Sequence, residues 1–217
     1  MKNMNILIIS AHPDDEVLGM GGTIKKMSKQ GHNLHLCVVT EGASAQYSDK
    51  KMIEIRKKAC IKAGKFLGIS TFDFLDFPDM GLDLVRQLEI IQKLEKIIDE
   101  FNPEMVFTTP KNDLHLDHKL VHNATIVSCR PIKNKVKKLL SYEIPSPLIE
   151  QFNPNIFENI EMEMEDKQKA FQFYESEIED FPHPRSIEAI NSLSMMRGFQ
   201  SGFKRAEGFS LIQWFQQ

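Results

Sequence analysis

Ile6-Leu7-Ile8-Ile9-Ser10-Ala11-His12-Pro13-Asp14-Asp15-Glu16 joins a fully apolar run to a dense cluster of chemically active side chains. A short, bounded, all-apolar run is the pattern of a strand buried on both faces. The cluster behind it needs its own explanation. A helix N-terminus accommodates one or two carboxylates at the positive end of its dipole, but it does not explain His12 beside three acids. His12 and Asp15, at i and i+3 in a tight turn, can converge on one cation. Asp14 then faces the other way and is free for acid–base work.

Outward from this stretch, strand and helix signals alternate. A helix is expected from about Gly19 to Gln30, stopping at Gly31, and a second strand over Leu34 to Val39. A long helix covers Lys51 to Leu67, with Ile53, Ala59, Ala63 and Phe66 on one face and Gly68 at its end. Thr71 to Leu75 reads as a strand, Leu84 to Phe101 as a helix ended by Pro103, and Met105-Val106-Phe107 as another strand. A helix begins near Asp117, and Leu139 to Tyr142 is a fifth strand. This order predicts an α/β fold, a Rossmann-like three-layer sandwich with a mostly parallel central sheet. Its ligands belong at the C-terminal ends of the strands, where strand order switches.

Beyond Tyr142 the pattern changes. Pro145, Pro147 and Pro154 interrupt a segment with one strand near Asn155 to Ile160, followed by helices over Glu163 to Ile178 and Ser186 to Lys204. Residues 1–142 thus form the α/β core, and 143–217 form a C-terminal elaboration covering the cleft of a single domain spanning 1–217.

The second cluster is Asn112-Asp113-Leu114-His115-Leu116-Asp117-His118, directly after the strand at Met105 to Phe107. In a parallel sheet this loop opens on the same edge as the His12 loop. Two histidines and a carboxylate would suit catalytic zinc, with a position left for water, and would equally suit Fe(II).

The two motifs together, AHPDDEVLGMGG and HLDH, resemble those of the PIG-L/LmbE family of metal-dependent N-deacetylases. Arg56, the Leu75 to Asp79 stretch and the tail from Arg197 to Phe209 look like further family blocks. The resemblance implies a Zn²⁺-dependent hydrolase, with Fe²⁺ as the other candidate, that removes the N-acetyl group from an N-acetylglucosamine-like amino sugar or its conjugate. His12, Asp15 and His118 would be the metal ligands and Asp14 the general base. His115, held by Asp117 and protonated, would stabilise the oxyanion, and Arg56 would reach into the cleft to bind substrate. Two departures stand out: Thr40-Glu41-Gly42 replaces a common Asp-Gly, and Ala59 stands where many relatives carry a Glu that would partner Arg56. Two alternatives are an amidase acting on a larger sugar–thiol conjugate and a non-catalytic metal-containing binder of sugars or nucleotides.

Composition narrows the partners. With 27 Lys and Arg against 30 Asp and Glu, the net charge of −3 gives no support for nucleic acid or an anionic membrane. No run approaches a membrane span, and Ile6 to Ile9 is too short for a signal-peptide core. Cys37, Cys60 and Cys129 lie in apolar patterns without CxxC spacing, which suits a reduced, cytoplasmic setting. A small-molecule substrate is therefore expected. The oligomeric state is not legible, though relatives often assemble into homo-oligomers.

Among the remaining signals, His32 and His35 flank the start of a strand with solvent on at least one of them. His122 reads as a packed or surface residue, and His183 sits in a loop able to fold over the cleft. Gly19-Met20-Gly21-Gly22 lacks dinucleotide-binding spacing and is read as close backbone packing.

Overall fold

The computed structural model describes residues 3–132, 136–146 and 151–216. Pro147 lies outside them. The apolar run near the N-terminus forms β1 (Asn5–Ser10), and β2 (Asn33–Thr40), β3 (Thr71–Phe77), β4 (Met105–Thr108) and β5 (Lys138–Tyr142) follow. Between them run α1 (Asp15–Lys29), α2 (Lys51–Leu67), α3 (Gln87–Phe101) and α4 (Leu116–Ser128). After β5 come β6 (Ile156–Asn159), α5 (Met164–Phe171), α6 (Ile187–Ser201) and β7 (Ala206–Trp214).

The strands form one sheet in the order β3-β2-β1-β4-β5-β7-β6. The first five are parallel, and β7 runs antiparallel to both its neighbours. Ile6, Leu7, Ile8 and Ile9 are all fully buried because β1 is central and both its faces are covered. One face packs Ile6 and Ile8 with Val17, Ile24, Cys60 and Phe171; the other packs Leu7 and Ile9 with Ile90, Leu94, Val121 and Ala124. Strand order reverses between β1 and β4, so the loops leaving these strands diverge to opposite faces and open a crevice at their C-terminal ends. Both motif loops lie there.

The structure corrects several boundaries. α1 begins at Asp15, not Gly19, so the acidic motif is its first turn. The helix expected over Glu163 to Ile178 stops at Phe171 and gives way to a short 3-10 turn at Glu175–Glu177. Tyr174 forces the break: it is buried, and its hydroxyl donates to Glu16. α6 starts at Ile187, capped by Ser186, whose hydroxyl accepts from the Ala189 amide, and ends three residues early at Ser201, capped by Gly202, where φ is 78°. β7, absent from the sequence reading, enters the sheet between β5 and β6. His35 is buried, its ring against Phe101, because β2 is not an edge strand.

Close packing at the Gly19–Gly22 stretch is confirmed. A Cβ at Gly19 would meet Tyr142 Cδ2 at 2.3 Å, and one at Gly22 would meet Ile160 at 2.8 Å. All three cysteines are buried thiols. Among the described residues no helix is long and apolar enough to cross a membrane.

Candidate active site

The first loop leaves β1 through Ser10 and Ala11 and enters α1 at Asp15. The His12 amide donates to Asp15 Oδ2 at 2.8 Å, which folds the turn so that both side chains face the crevice. Asp14, between them, takes φ 130° and ψ −26°, a left-handed conformation that a non-glycine residue rarely holds. Its amide donates to Glu16 Oε2 at 3.2 Å. Glu16 is itself buried, and burial pushes its carboxyl up to about 8.

The second loop runs from β4 to α4 and brings His118 to His12. His12 Nδ1 and His118 Nε2 stand 3.2 Å apart. Asp15 approaches both, with Oδ2 3.6 Å from His12 Nδ1 and Oδ1 3.4 Å from His118 Nε2. Carboxylates behind the rings decide which nitrogens carry protons. Asp113 Oδ2 lies 2.7 Å from His118 Nδ1, which donates to it. Asp79 Oδ1 at 3.2 Å and Asp117 Oδ2 at 3.3 Å take the Nε2 proton of His12. With their far nitrogens donating outward, the two rings turn their remaining nitrogens toward each other, with a carboxylate beside both. That arrangement repels itself unless a positive charge lies between.

The 3.2 Å between the two ring nitrogens is close to the roughly 3.3–3.6 Å between ligand atoms of a tetrahedral ion with bonds of about 2.0–2.2 Å, and Asp15 sets one oxygen near each ring, Oδ1 3.4 Å from His118 and Oδ2 3.6 Å from His12. His12, Asp15 and His118 therefore fit a divalent metal. Other atoms also cluster, His12 with His115 and His118, and His12 with Asp79 and Asp117. The second of these sets is the hydrogen-bonded seat of His12, on the ring's far side.

Electrostatics reports the same demand for positive charge. Burial alone would lower the pKa of His12, but Asp117, Asp15 and Asp79 hold it well above its usual value. His118 is likewise lowered by burial and raised by Asp15 and Asp113, to about 9. Burial would raise Asp15, yet His118 and His12 hold it well below the carboxylate range.

His115 caps α4. Its Nδ1 accepts from the Asp117 amide at 3.3 Å, and its ring stacks on His118 with centroids 4.8 Å apart. Burial and the charges of His12 and His118 push its pKa down to about 4. Asp117 does hold His115, but through its backbone amide and with the ring neutral, which corrects the expectation of a protonated His115. The Asp117 carboxylate instead accepts from the amides of Met80 and Leu82 and faces His12.

Arg56 is also reassigned. Only 2 % exposed, it does not reach into an open cleft. Its guanidinium donates to the carbonyls of Gly42 and Pro13 and pairs with Asp14 Oδ2 at 3.3 Å. The partner missing at Ala59 is supplied from the C-terminal segment by Glu177, at 3.2 Å. Glu41 is spent locally, accepting from the amides of Ala43, Ser44 and Asp79. His183 stays exposed, but Arg185, two residues on, reaches Asp14 Oδ2 at 3.3 Å. Burial raises the Asp14 carboxyl, and Arg185 and Arg56 offset only part of that. Its Oδ1 is buried with no hydrogen-bond partner.

Sequence reasoning thus missed Asp79, Asp113, Glu177 and Arg185. Asp79 ends the Leu75 to Asp79 stretch and Asp113 lies in the second cluster, but their spacing alone assigns them no role. Nothing local marks Glu177 or Arg185.

A family model described as "PIG-L: GlcNAc-PI de-N-acetylase" matches residues 7–129. The chain is 33% identical over 167 residues to the uncharacterized deacetylase YaiS of Escherichia coli, covering 75% of this chain and 85% of that protein. It superimposes on N,N'-diacetylchitobiose deacetylase from Pyrococcus horikoshii with TM-score 0.83 and 25% identity, covering 96% and 84% of the two chains. It also shares its fold, at TM-score 0.80 and 21% identity over 99% and 98%, with GalB, a 4-carboxy-2-hydroxymuconate hydratase from Pseudomonas putida. That fold therefore hosts more than one chemistry, and function must be argued from the site. With more than half its length under the family model and both motif loops within the matched span, the chain belongs to the PIG-L family.

Proposed function

We propose that this protein is a divalent-metal-dependent hydrolase that removes the N-acetyl group from an amino sugar or its conjugate. One observation carries the reading: His12 Nδ1, His118 Nε2 and the Asp15 carboxylate converge, next to Asp14, whose carboxylate keeps one buried oxygen without a partner. His12, Asp15 and His118 would hold the ion, and the set suits Zn²⁺ or Fe²⁺. Such an ion supplies Lewis-acid polarisation of the amide carbonyl and brings a water's pKa toward neutrality.

The chain's own groups do the rest. Asp14 Oδ1 takes the proton of the attacking water, while Oδ2 stays anchored by Arg56 and Arg185. His115 accepts at Nδ1, so its proton sits on Nε2, and the neutral ring donates that hydrogen to the developing oxyanion. Asp14 then returns its proton to the departing amine, giving acetate and free amino sugar.

The test is acetate release from N-acetylhexosamines, diacetylchitobiose and glycoside conjugates, with metal-loaded protein beside Asp14→Asn. We expect metal-dependent release in the wild type and a loss of about 10²–10⁴-fold in kcat in the variant, with one metal per chain in both. Metal-replete wild-type protein that releases no acetate from any of these would overturn the reading.

A further inference from the structure

The segment between α5 and α6 delivers opposite charges to the same point. Glu177 Oε2 lies 3.2 Å from Arg56 Nη2 and 3.2 Å from Arg185 Nη1. Both guanidinium groups also meet Asp14 Oδ2, each at 3.3 Å. Asp14, Arg56, Glu177 and Arg185 therefore form a closed square in which charges alternate and sum to zero. Asp14, Arg56 and Glu177 are buried, and Arg185 retains partial exposure. The second oxygen of Glu177 accepts from the Tyr47 and Ser176 hydroxyls, at 3.3 and 2.9 Å, which ties the loop after β2 into the same unit.

The arrangement divides the labour between the oxygens of Asp14. Both arginines take Oδ2, and Oδ1 is buried with no hydrogen-bond partner. The left-handed backbone at Asp14, φ 130°, persists only where the surroundings over-determine it, and the square supplies that constraint. Without Glu177, two cations would face one carboxylate; Arg56 would keep the carbonyls of Gly42 and Pro13, but Arg185 would lose the partner that holds it beside Arg56 on the same oxygen.

We infer that Glu177 is a positioning residue of the site: from the C-terminal segment it holds Arg56 and Arg185 on Asp14 Oδ2 and so leaves Oδ1 free for the reaction. This rests on the reading of Asp14 as the base.

The experiment compares wild type, Glu177→Gln, Arg185→Gln and the double variant. Glu177→Gln keeps the shape and removes the charge; kcat should fall about 10- to 100-fold, the cost of misplacing a reacting group, with KM within about twofold and metal content unchanged. Removing one cation with one anion restores neutrality, so the double variant should lose less than the product of the single losses. A second readout does not use activity. Trypsin cleavage after Arg185, followed by mass spectrometry, should be slow in wild type and clearly faster in Glu177→Gln. Wild-type kcat in Glu177→Gln would overturn the inference, as would multiplicative losses in the double variant or equal cleavage rates. Should wild type release no acetate, the deacetylase reading fails separately, and the cleavage comparison still decides whether Glu177 holds Arg185.

Discussion

Asp113 never touches the proposed ion, yet it decides what His118 offers to it. By accepting from Nδ1 at 2.7 Å it places the lone pair on Nε2 and fixes the plane of the ring. Asp113→Ala should therefore weaken metal binding by about 10- to 100-fold without unfolding the chain, measured by competition against a chromophoric chelator. Unchanged affinity would show that His118 orients itself. His12 and His118 were legible because histidines crowd with acids where buried strands end. Asp113 and Asp79 were not, because an Asp in a loop before a helix is ordinary capping chemistry. Only its distance to an imidazole gives it another task.

At the scale of elements, α1 is not one continuous helix. Met20 leaves helical geometry at φ −146°, and the helix restarts behind it. A restarted helix has amides without intrahelical partners. Glu207 of β7 takes them, accepting from the Gly22 and Thr23 amides at 3.0 and 2.7 Å and from the Thr23 hydroxyl at 2.6 Å. Lys167 of α5 pairs with the same carboxylate at 2.7 Å. Glu207→Ala would strand those donors and a buried ammonium, so it should cost about 3–5 kcal/mol, seen as a lowered denaturant midpoint. Glu207→Gln, which keeps an acceptor, should cost less. β7 escaped the sequence reading because its buried faces include Glu207 and Gly208, which do not advertise a strand. α5 ends earlier than its sequence suggests for a related reason: Tyr174 is helix-compatible in sequence, and only Glu16, far away along the chain, draws it out of register.

For the whole molecule, histidines outside the crevice make folding sensitive to acid. Burial lowers the pKa of His35, against the opposing pull of Asp73. Its Nδ1 bonds the Thr71 hydroxyl, and its Nε2 lies 2.9 Å from Asp73 Oδ2, off the line of a hydrogen bond. Burial also lowers His122, whose Nδ1 donates to the Thr109 carbonyl. With folded pKa values below the usual 6.5, the unfolded chain binds more protons as pH falls through that value. Their contribution to stability is complete above pH 6.5 and lost on acidification. The melting temperature of a His35→Gln, His122→Gln variant should thus fall less than that of wild type between about pH 7.5 and 5.5. Parallel pH profiles would remove these two groups as the cause.

Local chemistry was written in the sequence. An apolar run fixes a buried strand, a stop residue ends a helix, and i, i+3 spacing aims His12 and Asp15 to one side, because each of these depends on neighbours a few residues away. Tertiary structure alone decided what meets across the chain. His12 and His118 are 106 positions apart and come within 3.2 Å because β1 lies beside β4. Arg56 changed from a cleft residue to a buried anchor, and Glu177 and Arg185 joined the site, because the C-terminal segment brings both of them against Arg56 and Asp14. Strand order and chain return are properties of the whole packed sheet, and the burial they impose settles which charged groups must find one another.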